Sequence, residues 1–170
     1  MDGTMIFARL IHVVTGVFWV GAMIFLAAFL APALKEVGPD AGKVMNALAR
    51  RGFMKIMPVI AMLTILSGIW LYWRVSVGFD PVYMKSGPGH AYAIGGLLAV
   101  IALVLGVVIT RPAMLKSAAL AQSAIAAEAG ERERLMGEAQ RLRERGARFG
   151  VVVAWLLGLA AVAMAVGRYV

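Results

Sequence analysis

Two histidines, His12 and His90, are the residues of this chain best suited to bind a metal or a cofactor. His12 lies in an apolar stretch. Gly16, Trp19 and Met23 follow it by four, seven and eleven residues, so all four side chains share one stripe of a helix. An ionisable side chain inside a membrane costs roughly 2.5–3.5 kcal/mol unless it finds a partner. His12 therefore needs either a structural partner or a function.

One interpretation is that both imidazoles bind a haem iron from opposite sides. Imidazole is a common axial haem ligand, and the cores of helical bundles often hold cofactors. His12 and His90 each lie near the start of an apolar segment, and the two segments are predicted to run parallel. Gly16, one turn after His12, would leave room for the macrocycle, and Arg9, one turn before it, could meet a propionate.

Two alternatives stay open from the residues alone. His12 could simply bond to a neighbouring helix, and His90, which follows Gly-Pro-Gly, could be a hydrated loop residue. Thioethers favour Cu(I), and the chain has 11 methionines, so a copper site is the next interpretation. Those methionines are scattered along the sequence, without a Met-x-Met cluster.

The composition predicts a membrane protein. Of the 170 residues, 62% are hydrophobic and 15% are charged, and the mean hydropathy is +0.85, whereas a soluble domain is about 45–50% apolar and 25% charged. Cysteine is absent, which excludes disulfides, thiolate metal sites and cysteine catalysis. The length corresponds to a single domain over residues 1–170.

Four apolar segments are each near the roughly 20 residues that cross a bilayer. They run over about residues 5–30, 54–77, 89–110 and 149–168. A signal peptide is the less favoured reading of the first segment, because its apolar run is too long and only Arg9 could form a basic n-region.

The distribution of lysine and arginine predicts the orientation. Thirteen of the 17 basic residues lie in the two connections that follow the first and third spans, and cytoplasmic loops carry such an excess. We therefore expect a bacterial inner-membrane protein with both termini in the periplasm.

Both basic connections should contain helix. Gly38-Pro39-Asp40 is a turn signal, and residues 41–51 after it could form a short interfacial helix. Residues 111–148 predict a cytoplasmic helical hairpin divided at Gly130. The hairpin is either a solvated charged structure or a docking surface for a redox partner or a larger membrane complex. Nucleic acid is not expected, because acidic residues are interspersed and no aromatic residues follow the arms.

The first span resembles that of a broad set of four-helix bacterial membrane proteins. Leu10-Ile11-His12, with Trp19 seven residues after the histidine and then Gly21 and Pro32, is similar to the copper-resistance protein D-like family. It also resembles the membrane protoporphyrinogen IX oxidases of the HemJ type, in which a basic residue stands three positions before the histidine. That position is Arg9 here, where the oxidases carry lysine.

The resemblance implies a four-helix bundle with bound haem b or copper, and in the oxidase branch the oxidation of protoporphyrinogen. Taken together, the sequence predicts an all-α integral membrane four-helix bundle whose outer surface contacts lipid. An oligomer is compatible with this prediction. The leading functional hypothesis is a haem-b protein for electron transfer or porphyrin redox chemistry, with the haem between the first and third spans. An accessory subunit without a cofactor, or a copper uptake or tolerance protein, is the alternative.

Overall fold

The structure, a computed structural model, describes residues 2–38 and 41–170 and contains only helices and turns over that part of the chain. Within it, four helical runs are long and apolar enough to cross a membrane. These runs are Gly3–Val37, Phe53–Val75, Gly87–Ser123 and Ala129–Tyr169. The predicted all-α class is therefore confirmed, and the described chain has four helices that are long and apolar enough to be the predicted spans, as a multi-pass membrane protein requires.

Eight α-helices make up most of the described chain. In order they are α1 (Gly3–Phe25), α2 (Ala31–Val37), α3 (Ala41–Arg50), α4 (Phe53–Val75), α5 (Pro81–Met84), α6 (Gly87–Leu105), α7 (Arg111–Ser123) and α8 (Ala129–Val166). The helix predicted over residues 41–51 corresponds to α3. In the turn signal before it, Gly38 has a positive φ of 69°, while Pro39 and Asp40 lie outside the described residues.

Two π-helical turns, Leu26–Leu30 and Gly106–Thr110, join α1 to α2 and α6 to α7. After each turn, the next residue donates its N–H to the carbonyl five residues back. A proline comes next in both places, Pro32 and Pro112. Proline has no N–H and its ring crowds the carbonyl four residues before it, so a wider turn lets each helix continue instead of ending.

The four long helices occupy the corners of a square. Helix α1 packs mainly on α4 and also on α8, while α6 packs mainly on α8 and less closely on α4. Helices α1 and α6 therefore stand at opposite corners. We name the end that holds both chain termini the terminal end, and the opposite end, from which α7 and the start of α8 project, the hairpin end.

Small residues bring the helices together. The core has Trp19, Met57 and Leu157 as its large members, and Ala61 and Ala102 lie almost completely buried between them. Many large apolar side chains point outward instead, as lipid-facing residues do. Tertiary packing in this bundle rests on close backbone approach, which is typical of helices in membranes.

The predicted hairpin forms, with its turn earlier than expected. Ser117 on α7 donates a buried 2.8 Å hydrogen bond to the Ala139 carbonyl on α8, which fixes the two arms against each other. The turn occupies residues 124–128, and Gly130 lies in the first turn of α8, so the predicted division at Gly130 is wrong. The guanidinium of Arg132 donates to the carbonyls of Ala124 and Ala127, so it satisfies one carbonyl at the C-cap of α7 and one within the turn.

Candidate functional site

His12 contacts the neighbouring helix α4. Its Nδ1 lies 2.8 Å from the carbonyl oxygen of Thr64 and, more weakly, 3.4 Å from the Ser67 hydroxyl. A carbonyl only accepts hydrogen bonds, so Nδ1 carries the hydrogen. In this tautomer of the neutral ring, Nε2 keeps a lone pair that can bind a metal.

A short network of hydroxyl groups extends from this histidine between α1 and α4. The buried Thr64 hydroxyl lies 2.8 Å from the Thr15 hydroxyl and 2.9 Å from the Ile60 carbonyl. Thr15 in turn donates to the Ile11 carbonyl at 2.7 Å. Sequence reasoning missed this cluster, although a threonine and a serine three residues apart in a predicted span were a signal for it.

Two glycines make these contacts fit. A β-carbon on Gly68 would lie 2.8 Å from Cε1 of His12, so only glycine leaves room for the imidazole there. A β-carbon on Gly16 would lie 3.5 Å from Thr64 Cγ2. The space beside Gly16, which the sequence analysis assigned to a macrocycle, is therefore occupied by Thr64.

The other predicted residues of the first span lie apart from the imidazole. Trp19 is buried in the bundle core with 5% exposure. Arg9 is exposed, and within the described chain it forms neither an ion pair nor a hydrogen bond. Arg9 is thus available to an acidic group of a ligand or a lipid, on the same helix as His12 and one turn nearer the terminal end.

His90 lies in the first turn of α6, at the same end of the bundle. Its Nδ1 lies 2.9 Å from the Ser86 carbonyl, so this ring also keeps its lone pair on Nε2. His90 is exposed and shares a helical stripe with Ile94, Leu97 and Ile101, which are all exposed. The ring therefore lies on the outward face of α6.

The structure does not bring the two histidines together. His12 packs between α1 and α4, whereas His90 lies on the outer face of the helix at the opposite corner. Among the described residues there is also no cluster of three or more histidine and carboxylate side chains that could hold a metal ion. Two-histidine ligation of one iron accordingly stays a prediction.

Polar and aromatic contacts tie the terminal end together. Arg74 pairs with Asp2 at 2.8 Å and lies over the ring of Trp70. The Asp2 carboxyl accepts hydrogen bonds from the hydroxyl and the N–H of Thr4, and these bonds lower its pKa. The positive charge of Arg74 lowers the pKa further. Tyr72 donates a 3.0 Å hydrogen bond to the Gly89 carbonyl, which joins α4 to the start of α6.

An apolar cavity of about 160 Å³ lies between all four long helices near the hairpin end. Trp19 borders it on one side and both π-helical turns line it. Five methionines from four helices border this cavity, namely Met23, Met45, Met54, Met57 and Met114. Methionines that are scattered in the sequence are therefore gathered in the fold.

Comparisons of the chain with protein-family models, curated proteins and solved structures found no match. The geometry of the site is therefore the basis for any functional conclusion.

Proposed function

We propose that this chain is a small haem-b-binding membrane protein, in electron transfer or porphyrin redox chemistry, and that His12 is an iron ligand. The observation that carries the proposal is the bond from His12 Nδ1–H to the Thr64 carbonyl, because it leaves Nε2 as a lone-pair donor. Metal-binding histidines usually donate their other ring N–H to such a group, which fixes the tautomer.

His90 is the candidate for the second axial ligand. It has the same tautomer, held by the Ser86 carbonyl, and it lies at the same end of the bundle. Because it lies on the outward face of α6, it would reach a haem beside His12 only after the first turn of α6 rotates. A haem iron held by the imidazoles of His12 and His90 would supply one-electron transfer.

The test is a reduced-minus-oxidised visible spectrum of the detergent-purified protein from haem-supplied cells. We expect sharp low-spin α and β bands that His12→Gly abolishes, and we expect added imidazole to restore them because it enters the vacated position. Loss of the bands in His90→Ala as well would identify His90 as the second iron ligand. A flat spectrum of the folded native protein, or bands unchanged in His12→Gly, would overturn the proposal.

An accessory subunit of a larger membrane complex is the second candidate, and the hairpin carries the observation that favours it. Ile125 and Met136 are 69% and 48% exposed on the hairpin. If these side chains dock on a partner, Ile125→Glu and Met136→Glu should release subunits that co-purify with the native chain. A complex that survives both substitutions would exclude this surface.

Copper uptake or tolerance is the third candidate. Thioethers are suitable donors for Cu(I), and five methionines border the apolar cavity. Metal analysis of the purified protein after exposure to Cu(I) tests this candidate, and a copper-free protein would exclude it.

The orientation proposed from the basic residues is a bacterial inner-membrane protein with periplasmic termini and a cytoplasmic hairpin. Because the chain has no cysteine, single cysteines can be introduced without background. Val170→Cys should react with a membrane-impermeant maleimide in intact spheroplasts, and Ser123→Cys only after the membrane is opened. The reverse pattern would invert the topology.

A further inference from the structure

Arg111 links the start of α7 to the first turn of α4. Its Nε donates a 3.3 Å hydrogen bond to the Met54 carbonyl. In a regular helix that carbonyl would accept the N–H four residues later, but the residue there is Pro58, which has no N–H. Arg111 therefore satisfies a carbonyl that the proline leaves free, and this bond fixes the guanidinium at the hairpin end of the bundle.

The guanidinium keeps four other N–H donors, because arginine has five and the Met54 carbonyl takes one. Arg111 is half-buried, and it forms no ion pair within the described chain. Charges that are withdrawn from water are normally paired, since an unpaired one is costly. A guanidinium presents its donors as a planar fork that fits two oxygens of a phosphate. The unused donors of Arg111 therefore favour a ligand with a phosphate group.

Two further cations lie within one helical turn of Met54. Arg51 precedes it by three residues, and Lys55 follows it directly. Both are exposed, and neither forms an ion pair among the residues that the structure describes. We name Arg51, Lys55 and Arg111 the basic cluster. Its three positive charges favour a ligand with a net negative charge over a zwitterionic one.

An apolar surface continues from the basic cluster along α4. The stripe that begins at Lys55 carries exposed apolar side chains four, seven and eleven residues later, namely Val59, Met62 and Leu66. These side chains have the character of a lipid-facing surface. A ligand with a phosphate at one end and acyl chains at the other would contact both the cluster and the stripe, whereas a soluble phosphate would contact only the cluster.

We infer that the basic cluster binds the phosphate group of an anionic phospholipid, with Arg111 donating two hydrogen bonds and the acyl chains lying along the exposed stripe of α4. Basic pockets between membrane helices are suited to such head groups. The inference is independent of the haem proposal, since both histidines lie at the terminal end of the bundle.

The experiment is native mass spectrometry of the detergent-purified full chain titrated with phosphatidylglycerol. We expect the native chain to bind one lipid, and Arg111→Gln should raise the Kd about tenfold or more, as expected for lost hydrogen bonds to a charged group. Arg111→Lys keeps the charge but not the planar fork, so its Kd should also rise. Arg141→Gln should leave the Kd unchanged, because Arg141 is an exposed arginine on the hairpin arm of α8.

Pro58→Ala separates the two roles of Arg111. It restores the N–H that bonds to the Met54 carbonyl, so Pro58→Ala/Arg111→Gln should unfold at the same denaturant concentration as Pro58→Ala. Its Kd for phosphatidylglycerol should nevertheless be about tenfold higher. An unchanged Kd in Arg111→Gln or in Arg111→Lys, or an equal rise in Arg141→Gln, would overturn the inference. Phosphatidylcholine that binds as tightly, or inorganic phosphate that displaces the lipid at equal concentration, would overturn it as well.

Discussion

The imidazole of His12 packs directly on Gly68, and a β-carbon there would lie 2.8 Å from Cε1 of the ring. This contact, together with the 2.8 Å bond to the Thr64 carbonyl, fixes the ring between α1 and α4. An ionisable residue in a membrane span is thus accommodated by one glycine and one carbonyl group.

Replacing Gly68 by alanine should displace the His12 ring and break its bond to Thr64. We expect the free energy of unfolding to fall by about 1–3 kcal/mol, as overpacking of a tight interior does. The measurement is unfolding in mixed detergent micelles. Gly96→Ala is the control, because a β-carbon there meets no atom within 4 Å, and equal stabilities of the two variants would contradict the prediction.

Removing the Thr64 hydroxyl tests the network between α1 and α4. Thr64→Val keeps the shape but loses the contacts to Thr15 and Ile60, so the free energy of unfolding should fall by about 0.6 kcal/mol, the average for hydrogen bonds between membrane helices. In Thr110→Val the lost hydroxyl has no partner in the described chain, so the same measurement should show no loss. If the free energy of unfolding falls as much in Thr110→Val as in Thr64→Val, the hydrogen bonds assigned to the Thr64 hydroxyl are refuted.

Acidification should weaken the hairpin through Glu138. Its hydrogen bond and ion pair with Lys116, at 2.9 Å, lower the pKa of this carboxyl. A carboxyl with a lowered pKa stabilises the fold above its unfolded-state pKa, and this contribution is lost as the pH falls through the folded-state pKa. Hairpin amides should therefore lose hydrogen-exchange protection on acidification, after correction for intrinsic exchange rates.

Glu138→Gln should lack that pH-dependent component, because the glutamine side chain does not titrate. Glu133→Gln serves as the control, since the exposed Glu133 forms no ion pair among the described residues. If Glu138→Gln and the native chain respond equally to acid, another group is responsible.

Much of the architecture could be predicted from local sequence. Apolar run length predicted four spans, and helix-forming residues after Pro112 predicted the hairpin, because both properties depend on neighbours along the chain. The position of the turn could not be predicted in the same way. Arg132 contacts carbonyls up to eight residues before it, and Gly130 is accommodated within the first turn of α8.

The candidate site was less predictable. His12 was identified because an ionisable residue stands out in an apolar run, yet its partner Thr64 lies 52 positions away. His90 shows the same limit, since residue spacing does not reveal which side of α6 faces the bundle. The internal similarity of the two π-helical turns was also missed, although Pro-Ala follows each of them, at Pro32 and Pro112.

The sequence by itself determined that this chain is helical, apolar in four segments and charged between them, because these properties depend only on residue type and order. Tertiary structure decided how each helix is rotated about its axis, since contacts such as that of Gly68 with His12 involve residues far apart in the chain. It also decided that methionines from several helices surround one cavity.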